Sequence, residues 1–140
     1  MGWTRSNYFR CTDPEKLESI VSRIITDGYD GEVFSKLTTD DEKLYAFCVD
    51  GTIFGLMKEG EEEPEDEDYN AEDVYSALQE VIPEGEAIVV EEVGHEGLSC
   101  LAAFATIITR HEFTYVNMMK AAEKKAGEML GGDFILDDEY

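Results

Sequence analysis

The sequence predicts an α+β domain, with a mainly antiparallel sheet and about three helices packed on it. Three observations predict this. Apolar residues recur at helical spacing in only three segments. Between them lie short runs rich in Val, Ile, Phe, Tyr and Thr, bounded by turn residues. The turns between runs are short, so consecutive strands are expected to pair as hairpins with the helices on one face. The predicted order is β-α-β-β-β-α-β-β-β-α.

Residues 4–11 carry Tyr8 and Phe9 and open as a strand. Thr12 or Asp13 can cap the first helix, and Pro14 suits its first turn. Leu17, Ile20, Val21, Ile24 and Ile25 form its apolar stripe, and Gly28 is expected to end it. Residues 32–38 and 44–49 are strands around an Asp40-Asp41-Glu42 turn. Asp50-Gly51 tolerates the positive φ of a hairpin turn, so residues 52–57 are expected to return alongside 44–49. Asn70 can cap the second helix, with Asp73 three residues on, and Val74, Leu78, Val81 and Ile82 are its apolar face. Pro83 and Gly85 stop it. Residues 87–93 form a strand, 94–97 a turn, 98–109 a long strand apolar on both faces, and 113–116 a strand pairing back. Asn117 caps the last helix, which runs to Leu130 and ends at Gly131-Gly132.

A helix followed by three strands occurs twice. At an offset of 54, Gly31-Glu32 aligns with Gly85-Glu86, a weak mark of internal αβββ duplication. The expected organisation is one domain over residues 1–132, with an acidic loop at 59–69 inserted, and an acidic tail at 133–140.

A chain of 140 residues with 43% hydrophobic content suits a single folded domain. It contains no run of about 18 apolar residues, so no membrane span is predicted. The N-terminus lacks the apolar core of a secretory leader. Cys11, Cys48 and Cys100 are odd in number, widely spaced and set in apolar runs, as expected for reduced thiols in a cytoplasmic protein.

Charge is the dominant peculiarity. The formal net charge is −22. Residues 1–58 hold ten acids and seven bases, and residues 99–140 hold seven acids and four bases. Residues 59–98 hold sixteen acids and no Lys or Arg. The run from 59 to 68 contains Gly60 and Pro64 and repels itself, so it is expected to lack regular structure. The other eight acids of the segment, Glu72, Asp73, Glu80, Glu84, Glu86, Glu91, Glu92 and Glu96, fall on a helix, a strand and their turns. They are expected to form an ordered anionic face.

Motifs for chemistry are sparse. His95 and His111 fall in predicted turns, and neither has the spacing of a second ligand that zinc or a carboxylate-bridged metal needs. Asp66, Asp68 and Asn70 match the start of a calcium loop, but Ala71 and Ala77 occupy its glycine and glutamate positions. No glycine loop opens a helix to cradle phosphate. Lys120, Lys124 and Lys125 are the best basic cluster, too small to signal direct nucleic-acid contact and placed as a solvated helix face. No catalytic, cofactor-binding or metal-ligating set is predicted.

The expected function is therefore that of a non-catalytic acidic protein engaging a basic surface on another protein, such as a nucleic-acid-binding protein. Its sharp form is an inhibitor that mimics nucleic acid, of the anti-restriction or anti-CRISPR type. The physics is long-range attraction that salt suppresses. The candidate contact residues are Glu61, Glu62, Glu63, Glu65, Asp66, Glu67, Asp68, Glu72, Asp73, Glu91, Glu92 and Glu96. Two alternatives stay open. One is an accessory or assembly module whose acidity serves only solubility, with the tail at 133–140 as a docking strand. The other is a small enzyme with a carboxylate site.

Overall fold

The computed structural model describes residues 2–28, 31–61, 69–96 and 100–136, with backbone alone at 95–96 and 100–102. Its elements are β1 (Gly2–Ser6), α1 (Pro14–Ser22), β2 (Ile24–Thr26), β3 (Glu32–Leu37), β4 (Lys43–Asp50), β5 (Ile53–Leu56), α2 (Glu72–Gln79), β6 (Ile88–Glu96), β7 (Cys100–Ile108), β8 (Phe113–Asn117) and α3 (Met118–Leu130). The class is α+β, as predicted. A six-stranded sheet runs β3-β4-β1-β6-β7-β8, and β2 and β5 make a separate two-stranded sheet. Every strand pair is antiparallel.

Helix α1 starts as its sequence dictates. The Asp13 carboxylate accepts from the Lys16 amide at 3.1 Å, and Pro14 takes the first turn, where its missing N–H costs nothing. Its end differs from expectation. The helix stops at Ser22, and Ile24, Ile25 and Thr26 become β2, paired with β5. Three consecutive β-branched residues favour an extended chain, and a partner strand is at hand. The Arg23 guanidinium secures the switch by donating to the carbonyls of Ser19 and Met57. The predicted order is corrected by this one added strand. Four strands now follow α1 but three follow α2, so the two halves do not correspond element for element.

A second correction concerns the hairpin expected at Asp50-Gly51. Gly51 does adopt a positive φ of 88°, and a side chain there would collide with Asp27. The strand beyond it does not return along β4. β1 occupies that edge, pairing Trp3 with Asp50 and Thr4 with Val49. β5 leaves the main sheet and joins β2. Strand β6 also runs further than expected, so that Gly94, His95 and Glu96 lie in strand paired to β7, not in a turn.

Helices α1 and α2 cover one face of the sheet. Leu17, Ile20 and Val21 from α1 and Val74, Tyr75 and Leu78 from α2 are buried against Phe47, Val49, Ile88, Val90 and Ile108. Burying a Leu or Ile side chain fully contributes roughly 1.5–3 kcal/mol each, which makes this layer the main source of stability. Helix α3 is properly capped, with Asn117 accepting from the Met119 and Lys120 amides and Gly131 in a left-handed conformation at its end. Yet none of its residues is buried. Two helices, not three, therefore build the core, and α3 lies beside β7 and β8. Among the described residues, no helix is long and apolar enough to cross a membrane.

Candidate functional site

The described residues on either side of 62–68 meet at the junction of β5 and α2. Arg23 binds the Met57 carbonyl at 2.8 Å and lies 4.0 Å from the Glu59 carboxylate, tying the outgoing chain to the end of α1. The returning chain packs on β5 at Tyr69, so closely that a Cβ at Gly55 would lie 2.4 Å from the Tyr69 Cβ. The Tyr69 hydroxyl donates to the Glu61 carboxylate at 3.0 Å and joins the two stems. Asn70 then accepts from the Glu72 amide at 2.9 Å and starts α2. Glu72 and Asp73 stand exposed in its first turn. There they also offset the positive end of the helix dipole. Glu61, Glu72 and Asp73 thus make an acidic corner.

Of the remaining predicted contact residues, Glu62, Glu63, Glu65, Asp66, Glu67 and Asp68 lie outside the described residues, as does the side chain of Glu96. The expectation of one ordered anionic face is corrected. β6 alternates, so Glu91 and Glu92 point to opposite sides of the sheet. Glu91 is exposed and pairs with Arg5 across the strands at 3.5 Å. Glu80 pairs with Lys16 at 2.9 Å, Glu84 with His111, and Glu86 accepts from the Arg10 amide at 3.1 Å. These acids sit at separate places and each has a partner in the fold.

Glu92 is the clearest correction. It is 1% exposed, on the face that α2 covers, and cannot contribute to a contact surface. One carboxylate oxygen accepts from the Ile53 amide at 2.8 Å and the other from the Tyr75 hydroxyl at 3.4 Å. Burial pushes its pKa up, and the two donors pull the other way. Burial and the neighbouring carboxylate likewise raise the Tyr75 hydroxyl, while Thr106 beside it lowers it.

Tyr75 leads to a feature that sequence reading missed. Beyond α2, the inner face of β7 and β8 is left open as a groove of about 460 Å³. Ala71, Glu72, Tyr75, Phe104, Thr106 and Phe113 line it together with residues 114, 115 and 117. Strand register builds it: Thr106 lies opposite Tyr115, and Ile108 opposite Phe113. Tyr75 and Phe113 meet with ring centroids 5.5 Å apart, and Phe104 and Tyr115 edge to face at 6.4 Å. The alternation of Phe104, Thr106 and Ile108 was visible in the sequence. The pairing that sets them beside Tyr115 and under α2 was not.

Among the described residues, no group of three His, Cys, Asp or Glu side chains is placed to hold a metal ion. No family model, curated protein or solved structure matches this chain.

Proposed function

We propose that this chain is a non-catalytic acidic protein that binds a basic surface on another protein, and that the contact centres on the acidic corner. One observation carries the reading. Residues 59–73 contain ten acids and no base, and both ends of that stretch are tied down at the β5–α2 junction. Lys58 flanks the stretch in sequence, and Arg23 reaches it in space, with its donors taken up by carbonyls and Glu59. Elsewhere several bases are paired with acids: Arg5 with Glu91, Arg10 with Glu42, Lys16 with Glu80. Negative charge thus far outweighs positive charge along this stretch, which favours fast, salt-sensitive association with a cationic surface. Mimicry of nucleic acid, in the manner of an anti-restriction or anti-CRISPR inhibitor, is the narrower form of the proposal.

The test is affinity capture from the source cells' lysate at low and high salt. A variant with the acids of 61–68 changed to Gln or Asn, together with Glu72→Gln and Asp73→Asn, is run beside it. A specific partner is expected at low salt. It should be lost at high salt, where the screening length shrinks from about 10 Å at 0.1 M to about 3 Å at 1 M. It should also be lost in the folded variant. Capture of the same partner by the variant overturns the acidic corner as the contact. Absence of any partner at low salt leaves solubility as the role of the acidity.

A further inference from the structure

Helix α3 carries an apolar stripe that the fold leaves largely uncovered. At about 3.6 residues per turn, Met118, Met119, Ala122, Ala126, Met129 and Leu130 fall within roughly a third of its circumference. Its charged residues, Lys120, Glu123, Lys124, Lys125 and Glu128, all lie outside that arc. The stripes of α1 and α2 are buried in the core. On α3, Met119 and Ala126 are half-buried, while Met118, Met129 and Leu130 are 58%, 78% and 71% exposed. Charge singles out the same region. Residues 113–136 hold three acids and three bases, so they are neutral in a chain of −22. In sequence they are bordered by acids at 112 and 137–139. The charges of α3 also run against its own dipole, with no acid in the first turn and no base in the last. Residues 118–125 carry three bases and one acid, and residues 126–136 carry two acids and no base.

We infer that a second copy of this chain covers this stripe, with the two α3 helices packed antiparallel about a two-fold axis. A two-fold interface must be complementary to itself. Antiparallel packing meets that condition twice. Each apolar stripe covers the other, and the basic half of each helix lies against the acidic half of its mate. It also sets opposed helix dipoles side by side. Two chains this acidic repel each other over most of their surface, so a neutral stretch is where they can meet. A stable interface takes about 20 residues or more from each partner, and residues 113–136 supply a stretch of that size. A basic partner is drawn to the acidic corner and not to a neutral stretch. The inference stands independently of the acidic-corner reading.

The test measures the mass of the full chain in solution by sedimentation equilibrium over a range of concentration and salt. Particles of two chains are expected. Their association should tighten as salt rises, because screening relieves the repulsion between the two acidic bodies. That dependence is opposite to the one expected for the basic partner. Met118→Lys together with Met129→Lys should weaken association about hundredfold. Both side chains are exposed, so the circular dichroism spectrum should not change. The added lysines lower the net negative charge, so the loss cannot come from stronger repulsion. Lys120→Glu together with Lys124→Glu should also weaken association, and adding Glu128→Lys and Asp133→Lys should restore it, because the two halves have then only exchanged sign. A mass of one chain at every concentration and salt overturns the inference. A dimer that survives the methionine substitutions overturns this stripe as its interface. A charge exchange that does not restore association overturns the antiparallel arrangement.

Discussion

The two faces of the six-stranded sheet are made by the same strands and have opposite fates. On the inner face, Ile88, Val90 and Glu92 of β6 are buried beneath the helices. On the outer face of the same strand, Glu91 and Val93 face solvent beside Arg5 and Trp3 of β1, the last 61% exposed. Glu91 and Glu92 are neighbours in sequence and identical in chemistry. One is a surface charge with a cross-strand cation. The other is a buried acid held by an amide and a phenol. A net charge counted along a sequence is therefore not a surface charge. Strand alternation divides it, and only the side that a helix covers loses it.

The largest expected effect is on the inner face. Leu78→Ala should lower unfolding free energy by about 2–5 kcal/mol, because a fully buried side chain is replaced by a cavity. Val93→Ala, on the outer face, should cost within about 0.5 kcal/mol, the usual range for surface substitutions. Urea unfolding of both checks the contrast, and equal losses would break it.

A smaller effect distinguishes the two glutamates by pH. Glu92 has a raised pKa in the folded state, so the folded chain keeps a proton that the unfolded chain has lost. Stability should thus fall as pH rises from the ordinary value of 4.5 through the folded value, and then level off. Glu92→Gln accepts from the Ile53 amide and has no charge to bury. It should be more stable than wild type above that window and flatten this part of the profile. Unfolding of both proteins between acid and neutral pH reads this out, and a wild-type profile that instead rises through the window would contradict the burial.

The smallest effect is at Arg5–Glu91, whose side chains are 74% and 56% exposed. A double-mutant cycle with Arg5→Ala and Glu91→Ala should give a coupling of about 0.2–1 kcal/mol that fades in salt. A larger, salt-resistant value would mean that the outer face is more enclosed than its exposure indicates.

The sequence by itself determined the α+β class, the antiparallel pairing and most element positions. Asp13 with Pro14, Asn117 and Gly131 are caps whose chemistry is local, and the structure uses them as expected. Asn70 acts one residue further out than a helix cap, by accepting from the Glu72 amide, and still marks the start of α2. The candidate site was half legible. Glu61, Glu72 and Asp73 could be placed by composition and capping alone. The groove at Tyr75, Thr106 and Tyr115 could not, because its walls come from an α2 helix and a β7–β8 pair nearly thirty residues apart in sequence.

Tertiary structure decided the rest. Ile24 and Ile25 fit both a helical stripe and a strand, and the presence of β5 chose the strand. Asp50-Gly51 turns the chain as its residues require, but β1 had taken the edge that the next strand would have joined. Glu92 looks like any other acid in an acidic segment until Ile53 and Tyr75 close over it. Caps and turns depend on residues within a few positions of each other. Strand partners, and the choice of which sheet face is covered, depend on contacts between distant segments, where local preference no longer discriminates.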